Sequence, residues 1–159
     1  MSRDSMLRKV AMSAQDNLDV IRTYWDALQH PGPASLQTMM ERMDDDIGWE
    51  VIPLGLKRQG KEQMRQLIER SWADAPPDGW HEITNAFASD DWVCLEYTAR
   101  GTMTKELPHL NIRYQPTGQK MELRAVDVFQ IKSGKIALAR EYYDHATHMR
   151  QLGVETATT

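Results

Sequence analysis

The sequence predicts an α+β fold: a cone-like, curved antiparallel β-sheet with three N-terminal helices laid across it to enclose a pocket. Three observations lead there. Helical hydrophobic spacing is confined to the first half of the chain, and long alternating segments fill the second half. One face of those alternating segments is almost wholly apolar. Helices first and strands later, sharing one apolar face, give a layer of helices packed on one side of a sheet.

Ser13-Ala14-Gln15-Asp16 has the pattern of a capping box with Asp in the Glu place, and Leu18, Ile21, Trp25 and Leu28 follow at helical spacing. Pro31-Gly32-Pro33 ends that helix. Ser35 is positioned to cap a second, short helix with Leu36, Met39, Met40 and Met43 facing inward, and Asp44-Asp45-Asp46 makes a polar break. A short strand is expected over 48–52. Lys61 to Trp72 reads as a third helix burying Met64, Leu67, Ile68 and Trp72, stopped by Ala75-Pro76-Pro77-Asp78-Gly79. Residues 81–88, 92–104, 120–132 and 135–143 alternate as strands joined by short turns, whereas Lys105 to Gly118, with Pro108 and Pro116, reads as a longer loop over the open end of a cavity. The domain is expected over 13–153, flanked by mobile ends at 1–12 and 154–159.

The last two strands carry the most specific signal. If Lys132-Ser133-Gly134 forms a three-residue loop, Ile131 pairs with Lys135 and the odd-numbered residues share a face. That face holds Met121, Leu123, Ala125, Phe129 and Ile131, opposed by Ala137, Ala139 and Tyr143, and only Asp127 and Glu141 interrupt it. In this register Glu141 lies opposite Ala125, with Asp127 one diagonal step away, about 7 Å at the backbone. A two-residue Ser133-Gly134 turn would change the parity and put the carboxylates on opposite faces.

Composition narrows the function. The chain has 159 residues, 41% of them hydrophobic, enough for one compact domain with a core. A net charge of -4 with no basic stripe argues against nucleic-acid binding. The lone Cys94 forms no internal disulfide, no segment has the length and apolarity of a membrane span, and Met1 to Met12 lacks the apolar centre of a signal peptide. The expectation is a cytoplasmic protein.

Val126-Asp127-Val128-Phe129-Gln130-Ile131-Lys132-Ser133-Gly134-Lys135-Ile136, then Arg140-Glu141-Tyr142-Tyr143-Asp144 and Gln151-Leu152-Gly153, resembles the nuclear transport factor 2-like superfamily, and within it the SnoaL-like polyketide cyclases. Ketosteroid isomerases and limonene epoxide hydrolases share that fold. By this resemblance Glu141 falls where the cyclases place an acid/base Asp, and Asp127 falls where they often have a His and where the isomerases keep a protonated Asp. Ketosteroid isomerase's neutral Asp is a known instance of a carboxyl held protonated by an apolar site. Tyr24 resembles the isomerases' hydrogen-bonding Tyr in placement. Tyr97 and Ala99 stand where an epoxide hydrolase of the limonene type has its Arg and second Asp, a departure from that triad.

Two carboxyls in a dry pocket cannot both ionise cheaply, which leaves an acid beside a base. The base takes a proton α to a carbonyl while the acid donates to the enolate oxygen, chemistry suited to an aldol closure or a double-bond shift with no cofactor and no metal. The expected ligand is a small hydrophobic molecule. Tyr24, Trp25, Trp49, Val51, Tyr97, Leu123, Ala125 and Tyr143 are candidate substrate-binding walls, with His109 above them in the covering loop. Asp144, His145 and His148 have helical spacing but make a weak metal motif. Glu50 alternates with Trp49 and Val51 and so points outward. An epoxide hydrolase and a non-catalytic ligand-binding or dimerisation module are the alternatives. The even face, with Arg124, Val126, Val128, Leu138 and Tyr142, is apolar enough to predict a homodimer.

Overall fold

The structure, a computed structural model, describes residues 12–109 and 112–154, apart from the side chain of His109. The expected mobile segments 1–12 and 154–159 therefore lie almost entirely outside the described residues. Val154 does not: it is 9% exposed, and its N–H donates to the Met149 carbonyl at 3.0 Å.

Helix α1 spans Ala14–Gln29 and begins with the capping box read from the sequence: the Ser13 hydroxyl accepts from Asp16 N–H, and the Asp16 carboxylate accepts from Ser13 N–H. Helix α2, Pro33–Glu41, starts one turn earlier than Ser35 suggests, because Pro33 supplies a first helical residue with its φ already set. Met43, expected on that helix, instead opens strand β1, Met43–Val51, and is fully buried there. The three aspartates are thus an irregular part of β1, where its register shifts between Met43 and Gly48, and not a break before it. A single 3-10 turn, Ile52–Leu54, leads into a short strand the sequence reading missed, β2, Leu56–Gln59. Helix α3 is Lys61–Asp74 and buries Met64 and Ile68. Strands β3, Trp80–Ala88, and β4, Trp92–Thr102, follow.

Lys105 to Gly118 is not a structureless loop. It contains a hairpin of β5, Leu107–His109, and β6, Ile112–Tyr114. Leu107 and Tyr114 pack onto a second apolar cluster of Met103, Met149, Leu152 and Val154. Strands β7, Lys120–Lys132, and β8, Lys135–Tyr143, and helix α4, His145–Gln151, complete the order.

The main sheet has six strands in the order β2-β1-β8-β7-β4-β3 and is not closed. The fold class is the one expected, with one difference: β1 pairs with β8 in parallel, so the sheet is mixed. Short turns force only consecutive strands to run antiparallel. β1 and β8 are separated by most of the chain, and no hairpin constrains them.

The β7–β8 turn also differs from expectation. Lys132 pairs with Lys135, leaving a two-residue Ser133-Gly134 turn with both residues at positive φ (50° and 73°). Such a turn matches the twist of the strands it joins, and Gly134 suits it because glycine alone carries no steric penalty there. On parity grounds this turn would separate Asp127 from Glu141. A bulge restores them: the register moves from Ile131↔Ile136 to Gln130↔Leu138, leaving Ala137 unpaired, and beyond it Asp127 lies directly opposite Glu141.

The main core lies between the inner sheet face and α1, α2 and α3. Ile21, Tyr24 and Trp25 of α1, Met39 and Met40 of α2, and Met64 and Ile68 of α3 cover Ile47, Trp49, Val93, Leu95, Phe129 and Ala139.

Candidate active site

Three cross-strand pairings build the site. Leu95 pairs with Asp127, Asp127 with Glu141, and Glu141 with Val51, a continuous row across β4, β7, β8 and β1. Directly opposed residues on one sheet face have Cβ atoms about 5 Å apart. The carboxylates are therefore closer than the diagonal arrangement the sequence suggested.

Their surroundings are unequal. Asp127 is 3% exposed, and its Oδ1 accepts a hydrogen bond from the Tyr97 hydroxyl at 3.2 Å. Burial, and then the nearby Glu141 charge, raise its pKa well above the ordinary carboxylate range, against the smaller lowering effect of the Tyr97 bond. Glu141 keeps partial exposure, and the Trp49 indole N–H donates to it. Burial raises its pKa too, and the Trp49 bond opposes the shift. Each carboxyl therefore accepts one hydrogen bond that favours its charged form, and burial outweighs it in both, more so at Asp127, so the two titrate as a pair.

Arg140, the nearest candidate to neutralise the pair, does not do so: its Nε donates to Glu50 Oε2 at 3.0 Å, and Lys57 reaches Glu50 Oε1 at 3.0 Å. Glu50 thus stands on the outer face, as its alternation indicated.

The expected walls come together on the inner face. Tyr24 is 2% exposed, with its ring centroid 6.3 Å from Trp49 and 6.2 Å from Phe129; burial and the two carboxylates hold its hydroxyl protonated. Trp25 meets Tyr97 edge to face at 4.7 Å. Ala125 pairs with both Tyr97 and Tyr143, and Leu123 pairs with Ala99 one step further along. Burial and the Glu141 charge push the Tyr143 phenol up to about 12. Val51, Glu141 and Tyr143 are each half-buried, so this end of β1 and β8 is where the row approaches solvent. The backbone of His109 lies in β5, and its side chain is outside the described residues. A depression of about 280 Å³ lies elsewhere, between β2 and α3, lined by Arg58, Gln63, Gln66, Leu67 and Arg70.

Sequence reasoning missed His81. Its ring sits 6.0 Å from Trp25 and 5.8 Å from Tyr97, and burial lowers its pKa. The position is the second of a strand that follows Pro76-Pro77-Asp78-Gly79, and nothing in its local pattern separates an inward from an outward His. Among the described residues no three His, Cys, Asp or Glu side chains converge as a metal site. Asp144 caps α4 by accepting from Thr147 N–H at 3.0 Å, while His145 and His148 contact the Tyr143 ring. Among the described residues no helix is long and apolar enough to cross a membrane.

Comparison with known proteins agrees with this architecture. The SnoaL-like polyketide cyclase family matches residues 19–152. This chain belongs to that family. No curated protein matches the chain. A solved structure from Jannaschia sp. CCS1, named for the SnoaL-like polyketide cyclases, superposes with a TM-score of 0.76 at 15% identity, covering 98% of this chain and 99% of that one. A Mycobacterium tuberculosis epoxide hydrolase resembling limonene epoxide hydrolase gives 0.65 at 17% identity over 87% and 90%. A Catenulispora acidiphila protein with a ketosteroid isomerase-like fold, solved with trimethylamine, gives 0.67 at 15% over 89% and 97%. At these identities the likeness is one of fold, which hosts several chemistries.

Proposed function

We propose that this SnoaL-like protein is an acid/base enzyme acting on a small, largely apolar carbonyl compound, by intramolecular aldol cyclisation or by isomerisation. The observation that supports it is the direct opposition of Asp127 and Glu141 on an otherwise apolar face, in unequal environments. Glu141, ionised, removes a proton from the carbon α to a substrate carbonyl. Neutral Asp127 donates a hydrogen bond to the oxygen on which negative charge develops, and Tyr97 fixes the orientation of the Asp127 carboxyl. In an aldol closure the enolate carbon then attacks a second carbonyl of the same molecule, and the resulting alkoxide takes back a proton from the pair. In an isomerisation the proton returns to a different carbon. Neither course consumes a co-reactant. Substrate enters by the half-exposed end at Val51, Glu141 and Tyr143, and the protein acts in the cytoplasm as a homodimer.

The test is the pH dependence of turnover, together with Glu141→Gln, on carbonyl substrates with acidic α protons. Glu141→Gln is expected to lower kcat about 10² to 10⁴ fold, and Asp127→Asn, which keeps a donor, less. Full activity in Glu141→Gln overturns the mechanism. Titration of both carboxyls at ordinary values favours a binding module without turnover.

A further inference from the structure

Beside the carboxylate pair, on the far side of Tyr97, three side chains form an arrangement the mechanism above does not use. Trp25 and Gln29 lie four residues apart, on one face of α1. His81 lies at the start of β3, beneath them. Gln29 holds His81 at two points: its amide nitrogen donates to the His81 carbonyl, and its amide oxygen faces His81 Nδ1 at 3.4 Å. Because the Gln29 nitrogen is committed to the carbonyl, only its oxygen is left for the ring, so His81 Nδ1 carries the hydrogen. A neutral imidazole has one donor and one acceptor. Nε2 is therefore an acceptor.

Trp25 supplies the complement. It is 5% exposed, and its indole N–H is buried without a hydrogen-bond partner among the described residues. A buried donor left unpaired costs about 1–3 kcal/mol, and most such groups in folded proteins have partners. Here the ring that carries the unpaired donor stands edge to face with a half-buried His, centroids 6.0 Å apart, and with Tyr97, whose hydroxyl holds Asp127. The inner face between them carries small side chains, Ala99 opposite His81 and Ala125 opposite Tyr97.

We infer that Trp25 Nε1 and His81 Nε2 form a second polar subsite that binds a hydroxyl group of the substrate, the indole donating to its oxygen and the imidazole accepting its hydrogen. A hydroxyl, acceptor and donor at once, matches this pair, whereas a carbonyl leaves the His81 acceptor empty and a protonated amine offers nothing to the Trp25 donor. The substrate class narrows accordingly to hydroxylated carbonyl compounds, with the reacting carbonyl at Asp127 and the hydroxyl across the Tyr97 ring. Neutral His81, kept so by burial, is suited to accept that proton. This inference rests on the proposed function, since the same bound molecule must span both subsites.

Two probes separate them: 2-naphthol, with one hydroxyl, and 2,6-dihydroxynaphthalene, with one at each end. Binding is measured by calorimetry to the wild type, Trp25→Phe, His81→Phe, Asp127→Asn and Glu141→Gln. The wild type is expected to bind the diol about tenfold more tightly than the mono-ol, an advantage of about 1.4 kcal/mol. Trp25→Phe and His81→Phe are expected to reduce that ratio of diol to mono-ol affinity to less than about twofold, whatever either does to 2-naphthol binding itself. An equal affinity of the wild type for both probes, or an advantage that survives in both aromatic variants, overturns the subsite. If the carboxylate variants leave 2-naphthol binding unaltered, or if the wild type binds neither probe, the reading of the carboxylate pair fails and takes the subsite with it. Should Trp25→Phe not fold, the wild-type Trp25 indole N–H resonance gives the answer: it moves downfield with the diol and not with the mono-ol, and a resonance indifferent to both overturns the proposal.

Discussion

Asp127 faces Glu141 across the β7–β8 ladder because one residue, Ala137, is left out of it. The tight Ser133-Gly134 turn alone would send Glu141 to the outer face, where Glu50 and Arg140 already pair. A bulge between the turn and the site reverses that. Bulges re-aim the side chains beyond them, and they are found beside active sites for that reason.

The first prediction concerns the charged partner. Trp49 donates to Glu141 and so favours its ionised form. Trp49→Phe removes the donor and keeps an aromatic ring against Tyr24 and Phe129. The Glu141 pKa is expected to rise, moving the acid limb of the kcat/KM profile toward higher pH. A profile that stays in place while kcat/KM falls uniformly would show Trp49 to be packing alone.

A second prediction follows from the raised pKa of Asp127. A carboxyl whose folded pKa exceeds its unfolded value of about 4 binds protons more tightly in the folded state. Its stabilising contribution is complete below that unfolded pKa and is lost as pH rises through the folded pKa. At neutral pH the wild type therefore carries a stability cost that Asp127→Asn removes. The variant is expected to be more stable at pH 8 by on the order of 1–3 kcal/mol, with the difference shrinking toward pH 4. Exposed carboxylates such as Asp45, Asp78 and Asp144, whose pKa values are lowered, act in the opposite direction but equally in both proteins. Denaturant midpoints of the two across that range give the comparison, and a difference independent of pH would contradict it.

The third prediction tests how α1 is fixed over the sheet. Asn17 is fully buried, and its side-chain amide donates to the Ser89 carbonyl at 3.2 Å and the Asp90 carbonyl at 2.8 Å, tying the helix to the β3–β4 turn. Asn17→Ala leaves both carbonyls short of a donor and is expected to cost about 1–3 kcal/mol in chemical denaturation. A loss below about 0.5 kcal/mol would mean that water replaces the amide at the turn.

The sequence discloses what local pattern controls. The α1 capping box, the limits of β7 and β8, and the inward set containing Asp127, Glu141, Tyr97 and Trp49 are all written in spacing and alternation. What lies outside local pattern was not legible. The parallel β1–β8 pairing joins segments distant in sequence, and β2 is too short to show a period. The β5–β6 hairpin hides among prolines. The direct opposition of the carboxylates depended on a turn and a bulge that each shift parity, so the right face emerged from the wrong register. His81 was missed because its significance lies in Gln29 and Trp25, on another element.

The last prediction concerns assembly. The outer sheet face places Phe87, Cys94, Val128 and Arg140 in one cross-strand row and Val126 beside Tyr142 in the next. Phe87 is 56% and Tyr142 40% exposed, side chains large enough to favour removal from water. Two copies of this face related by a two-fold axis would bury both, with the Arg140, Glu50 and Lys57 ion pairs continuing the Val128 row toward the β2 edge of the sheet. Sedimentation at micromolar concentration is expected to give twice the chain mass, and Val128→Glu, which puts a charge at the centre of the patch, to give the monomer without loss of fold. A wild type that sediments as a monomer overturns the dimer. A Val128→Glu variant that stays dimeric moves the interface to another surface.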